Sequence, residues 1–377
     1  MKPVCLLILT IFLMACSQNQ VAHEVVPFTK GVYGNPDALL QAGYRFDSLG
    51  INAVFVRSIS LNPPFYNSAK DQGAKIYVEF PTLNGKGYIE QYPDAHPIDR
   101  LGLPSPPADW FMGVCPTHPG FKEHRSQQLR EILQEYQVDG IFLDYVHWHA
   151  QFETPDPILP ETCFCDRCTS LFGKDINSEI PGSNITQKAD WILSNQDKAW
   201  RKWRADILNG WVVDMGQIVK AEQPKSKLGV FYCSWYPADY DSALYKNLGI
   251  DPFAFAQSAD VLSPMLFHSM KERPISWVGE YVTWLGGHLE KDEKSIRNVS
   301  GDLKENIAKA PSPLIWPIVQ AYNNPQVISP EDFQEVLRQG SKKPASGIMM
   351  FSAESIAQEP AKVEVLKTYY RTTNSKD

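Results

Sequence analysis

The sequence predicts a single (β/α)8 TIM barrel with a long cysteine-bearing loop after its fourth strand. Three observations carry this expectation. Eight short segments rich in β-branched and aromatic residues recur along the chain, helical patterns fall between them, and no internal repeat, low-complexity block or second hydrophobic core intervenes. The 377 residues are 43% hydrophobic with a net charge of −7, which allows a large core and leaves no basic face for nucleic acid.

The strand segments are KGVYG (30–34), NAVFVR (52–57), AKIYVEF (74–80), GIFLDY (140–145), LGVFYCSW (228–235), DVLSPMLF (260–267), LIWPIVQ (314–320) and GIMMFSA (347–353). Each is short enough for a barrel strand, and most follow Gly, Asp or Lys. Among the helices, FKEHRSQQLREILQEY sets Leu129, Ile132, Leu133 and Tyr136 on one stripe. AWRKWRADILNGWVVDMGQIV repeats Trp200, Trp203, Ile207, Trp211 and Met215 at helical spacing. SPEDFQEVLRQG starts with an N-cap candidate, Ser329, followed by Pro330, and stops at Gly340.

The first residues form a separate unit. Lys2 precedes an apolar run, Val4 to Ala15, too short to span a bilayer but suited to an export signal. It ends in Leu13-Met14-Ala15-Cys16, which resembles a bacterial lipobox. That resemblance implies a signal peptide over 1–15, a lipid on Cys16, a polar tether over 16–24 and a barrel over 25–377. The mature chain is then expected in the cell envelope, anchored to a membrane, at the outer membrane or cell surface in a Gram-negative host.

Active sites of this fold gather at the C-terminal ends of the strands. In GIFLD, alternation sends Ile141 and Leu143 toward the helices and Phe142 and Asp144 toward the barrel axis. A carboxylate there is costly without a partner, ligand or water, so Asp144 is the first catalytic candidate. Capping the next loop, or pairing with Arg57, is the structural alternative. The other strand ends offer Arg57, Tyr77 with Glu79, Tyr232 with Trp235, His268, Gln320 with Tyr322, and Glu354, while Trp148 and Glu153 follow strand four. Carboxylates, amides and aromatic faces around one mouth suit a sugar, whose glycosidic bond needs paired acids and whose ring stacks on aromatic planes. Asp144 is read as nucleophile or base, with Glu79 as first partner and Glu153 as second; Asp239, Asp241 and Glu354 follow. Arg57, Tyr77, His268, Gln320 and Glu354 would hold substrate, with Trp148, Tyr232 and Trp235 stacking on it.

The loop after strand four carries Cys163, Cys165 and Cys168 in CFCDRC, and Cys115 in GVCPTH can supply a fourth thiolate. Four thiolates make a closed structural zinc site. Disulfides are the rival in an exported chain, but cysteines two apart bridge poorly. Cys233 reads as a buried thiol within strand five.

A Cys after the third strand followed by Cys-x-Cys-x-x-Cys after the fourth is similar to the zinc cluster of family 42 β-galactosidases. YVEFPTLNGKGYIEQYPDAHPID, GVCPTHPG, VDGIFLDYVHW and CFCDRC together resemble glycoside hydrolase-like barrel proteins related to that family and to family 10-like hydrolases. The likeness covers roughly residues 28–175 and implies a barrel glycosidase with one structural zinc. It departs at the catalytic pair: where family 42 has Asn-Glu ending strand four and Glu on strand seven, this chain has Asp144 and Gln320. The expected function is a membrane-anchored glycoside hydrolase-like protein acting on a poly- or oligosaccharide. Two other classes stay open: a non-catalytic glycan-binding lipoprotein, and a deacetylase with an open metal site, to which His147 and His149 alone point.

Overall fold

The structure, a computed structural model, describes residues 27–299 and 312–373. The expected signal peptide, the tether and Cys16 lie outside the described residues. Parallel strands follow one another around a closed barrel: β1 (Thr29–Gly34), β2 (Ala53–Arg57), β3 (Lys75–Pro81), β4 (Gly140–Asp144), β5 (Lys227–Cys233) and β6 (Val261–Leu266). The seventh, β7, comes in two pieces, Leu314–Ile315 and Ile318–Gln320, and β8 (Gly347–Phe351) returns to pair with β1. The sequence pattern reads 314–320 as one strand. Pro317 breaks it, because proline brings no N–H to the ladder, although its carbonyl still accepts from the Met349 amide at 3.0 Å.

The interior is packed rather than open. Phe55, Tyr77, Phe142 and Trp316 point inward and form one aromatic layer, with Phe55 stacked on Tyr77 at 4.9 Å and Phe142 stacked on Trp316 at 5.9 Å. Glycine makes room for these rings. A Cβ on Gly229 would meet the Phe142 ring at 2.3 Å, and one on Gly31 would meet Phe55 at 2.6 Å. The rings thus plug the barrel, leaving only the strand ends above them free for chemistry.

Outside, the helix Pro119–Glu135 buries Leu129 and Leu133, and Asp197–Glu222 buries Trp200, Trp203, Trp211 and Met215 against the strands. Pro330–Gly340 starts as its sequence predicts, with Ser329 Oγ accepting from the Asp332 amide at 3.0 Å. Among the described residues no helix is long and apolar enough to cross a membrane.

The segments after β3 and β4 fold onto each other beside the barrel mouth. Asp99 bridges to Thr162, and the Phe164 amide donates to the Ile98 carbonyl at 2.9 Å. Trp211 Nε1 donates to the Pro116 carbonyl at 2.9 Å, fastening this double loop to the outer helices.

Candidate active site

The last inward position of β4 delivers Asp144 to the mouth. It is 6% exposed, and two donors reach it. Tyr145, in the left-handed region at φ 56°, turns its amide back onto Oδ1 at 2.7 Å, while the Tyr33 hydroxyl lies 3.4 Å from Oδ2. A non-glycine residue in that conformation is strained, and such strain concentrates at working sites. Burial pushes the Asp144 carboxyl up to about 6; the two donors and Arg57 hold it from rising further.

Two more carboxyls share the field. Register pairs Glu79 with Phe142 and Pro81 with Asp144, so Glu79 sits one inward position deeper than Asp144. Burial first, then the Asp144 charge, push it up to about 8, against Arg57 and Arg125. Glu153, on the loop after β4, is driven up to about 7 by burial and by Asp144, against Lys271 and Arg57. Among the described residues neither glutamate side chain accepts a hydrogen bond, so only Asp144 is solvated by the protein as an anion. A narrow cleft lined by Trp110, Phe111, Asp144, Tyr145, Glu153 and Met265 lies there, about 10 Å³ in volume, room for about one water molecule. Wider clefts of about 620 and 870 Å³ lie among the outer helices, away from these acids, so the site is marked by converging strand ends rather than by size.

The remaining expected residues divide. Arg57 stands exposed at the rim, with Glu79, Glu354 and Tyr33 within its field. Glu354 Oε2 accepts from the Asn35 amide at 2.9 Å, closing the turn after β1. Trp235, expected to stack on a sugar, is 2% exposed, packed 4.4 Å from the ring of Tyr240 and under the Lys271 ammonium at 5.3 Å, so it has no free face to offer.

Five others sit elsewhere. Tyr77 is part of the aromatic plug and is 1% exposed. Trp148 is fully buried among the outer helices, donating to the Arg204 carbonyl with the Arg204 guanidinium over its ring, so it cannot stack on a sugar. Tyr232 has the opposite parity to the inward Phe231 and meets Tyr281 of the helix layer. Gln320 is spent on backbone: its Oε1 accepts from Met270 N, and its Nε2 donates to the carbonyls of Tyr322 and Asn324. His268 lines a different cleft, beyond the turn after β6.

Sequence reasoning missed Trp110, which is 49% exposed and packs edge-on to Tyr145 at 5.7 Å. It also missed Tyr33, Tyr145 and Lys271. The parity of GVYG pointed to Tyr33; no pattern pointed to Trp110, which lies in an irregular loop.

No protein-family model matches the chain, and no curated protein matches it in sequence. Among solved structures, the glycoside hydrolase domain of PgaB (BpsB) from Bordetella bronchiseptica superposes with a TM-score of 0.65 at 13% identity, over 90% of this chain and 98% of that one. A β-galactosidase from the psychrophilic Marinomonas ef1 gives 0.61 at 11% identity, over 91% and 59%. A catalytic mutant of a family 42 β-galactosidase from G. stearothermophilus gives 0.59 at 12%, over 92% and 57%. The fold is a (β/α)8 barrel like those of these glycoside hydrolases. At these identities the likeness is one of fold, and the chain spans somewhat over half the length of the two β-galactosidases.

On this barrel the four cysteines do converge. The Sγ atoms of Cys115, Cys163, Cys165 and Cys168 all lie within 4.8 Å of one another. Cys115 is 3.5 Å from Cys168 and 3.9 Å from Cys165, too far for disulfides. A tetrahedral ion at ~2.3 Å from each sulfur would space them by about 3.8 Å, so the donor set fits a metal ion. It joins the loop after β3 to the loop after β4. Among the described residues no other group of His, Cys, Asp and Glu comes within ligating range. The histidines are occupied as bonding residues: His149 between the Gly113 amide and the Pro106 carbonyl, His147 on the Trp148 carbonyl, and His118 as a helix N-cap.

Proposed function

We propose that the protein hydrolyses glycosidic bonds in an oligo- or polysaccharide, with Asp144 as the ionised carboxylate and Glu153 as the acid. The observation that carries this reading is the unequal solvation of three neighbouring buried carboxyls. Asp144 has two donors and the lowest of the three raised carboxyl pKa values, about 6, whereas Glu153 has no donor among the described residues and rises to about 7. Environments that push neighbouring carboxyls apart separate acid from base. Near neutral pH, Glu153 would protonate the leaving oxygen while Asp144 attacks the anomeric carbon or activates water. Glu79, deeper in the barrel, stays protonated near neutrality and keeps a second negative charge from Asp144. Trp110 offers a half-exposed face on which a sugar ring can stack, and Arg57 and Lys271 offer cations to its hydroxyls.

The cysteine cluster is read as a structural zinc site; four thiolates form a closed set, with no open position for substrate. Zinc there would stiffen the double loop that carries Trp110 and Glu153. The chain is further read as a lipoprotein of the cell envelope tethered through Cys16, on the strength of Leu13-Met14-Ala15-Cys16.

Incubation of the protein with a panel of bacterial, plant and host glycans, with products read by mass spectrometry, tests the reading. Cleavage by wild type that drops by orders of magnitude in folded Asp144→Asn and Glu153→Gln supports it. Equal cleavage by Asp144→Asn overturns it. Binding without cleavage would favour the non-catalytic glycan-binding class.

A further inference from the structure

The turn after β6 has two working faces. On one, Lys271 reaches the mouth, its ammonium 5.5 Å from the Phe152 ring centre and within the field of Glu153. On the other, His268 and Ser269 line a separate cleft of about 400 Å³, closed on the far side by the segment after β7 and the first turn of the helix Pro330–Gly340. It shares no residue with the mouth.

We propose that this second cleft binds a neutral saccharide unit, so that the barrel holds a glycan at two places on its C-terminal rim. His268 is 5% exposed, and among the described residues its Nδ1 is buried without a hydrogen-bond partner, as is the hydroxyl of Ser269. An unpaired buried polar atom is costly, and a ligand hydroxyl that draws the ring or the hydroxyl over would relieve the cost. Burial pushes the His268 imidazole down to about 4, against the Asp332 carboxylate, so the ring is neutral and both donates and accepts.

The other groups lining the cleft match a sugar better than an ion. Glu272 and Asp332 supply acceptors for hydroxyls, and Arg273, already paired with Asp239 at 3.1 Å, supplies donors. Two carboxylates beside one engaged guanidinium disfavour an anion. Among the described residues the cysteines alone form a group within ligating range, so His268, Glu272 and Asp332 do not form a cation site. Val327, 79% exposed, adds an apolar surface for the C–H face of a ring, and about 400 Å³ lies within the range of small-ligand sites.

The ligand class rests on the glycan reading of the barrel, so the test follows both places at once. The full chain carrying Asp144→Asn, isotope-labelled at histidine, is titrated with cellobiose, lactose, xylobiose and diacetylchitobiose, and with any glycan that wild type cleaves. The His268 signal is identified by its loss in His268→Gln, and the fluorescence difference between protein with and without Trp110→Phe reports the mouth. The expected result is a saturable His268 shift whose affinity weakens about tenfold in Asp332→Asn, the effect of one lost charged hydrogen bond. A silent His268 beside a responding Trp110 or measured turnover overturns the cleft and leaves hydrolysis standing. A His268 shift without turnover keeps the cleft and removes hydrolysis. Silence at both places overturns both.

Discussion

Glu79→Gln should make the protein more stable at alkaline pH and leave it unchanged or weaker at acid pH. Burial and the Asp144 charge push the Glu79 carboxyl from 4.5 to about 8. The folded state therefore holds this proton more tightly than the unfolded chain, and native stability is lost as pH rises from about 4.5 to about 8. At ~1.36 kcal/mol for each pH unit, that span of about 3.5 units caps the cost near 5 kcal/mol above pH ~8, and near 3 kcal/mol at pH ~7. Asp144 relaxes when its neighbour is neutralised, so part of the relief appears as a lower Asp144 pKa. Glutamine keeps the shape and removes the ionisation. At roughly 1–2 °C per kcal/mol, from an unfolding entropy of ~2.1 cal/mol/K per residue over a chain of this length, Tm of the variant should exceed that of wild type by about 5–10 °C at pH ~8.5, and the gap should close by pH ~5. Calorimetric or fluorescence melts across that range provide the assay. A gap that does not change with pH, or a variant less stable at pH ~8.5, would refute the reasoning, because it would mean that Glu79 is ionised and well paired in the fold.

Further expectations concern the same mouth and its supports. Tyr33→Phe removes a donor 3.4 Å from Asp144 Oδ2, which favours the protonated acid; the acid limb of the kcat/KM profile should move up by about half a pH unit, and an unmoved limb would detach Tyr33 from the ionisation. Gly229→Ala places a methyl 2.3 Å from the Phe142 ring and should cost about 3 kcal/mol in denaturant melts, because the packed layer has no room to yield; wild-type stability would show that the plug is loose. Elemental analysis should find one metal ion per chain, lost in Cys115→Ser together with several degrees of Tm, since Cys115 is the one ligand from the loop after β3; a metal-free wild type of equal stability would count against the site.

The barrel was legible because its strands are covered on both faces, so each reads as a short apolar run in a polar surround. Parity within a strand was legible too: Phe142 and Asp144 point inward as the alternation requires. What failed was extrapolation past the strand. Trp148 lies four residues beyond Asp144, after a left-handed Tyr145 has turned the chain, and its ring ends among the helices. Tyr232 was placed at the mouth against the parity of its neighbour Phe231, whose inward ring meets Phe142 at 5.1 Å. Gln320 has the right position, but its amide is consumed by carbonyls and an amide that only the fold brings near.

The same limit explains why the partner of Asp144 could not be chosen from sequence. Sequence position favours Glu79, one strand away. Chemistry depends on donors: Asp144 receives a backbone amide and a tyrosine hydroxyl, whereas among the described residues Glu79 and Glu153 receive none. Those donors arise from a positive φ at Tyr145 and from the packing of Tyr33 between Phe231 and Phe351, each 5.0 Å away. A carboxylate on a barrel rim becomes a base or an acid through contacts that no linear pattern encodes. The structure therefore argues for testing Glu153 beside Glu79: of the two, it is Glu153 that lines the cleft with Asp144 and Trp110, where a leaving oxygen could reach it.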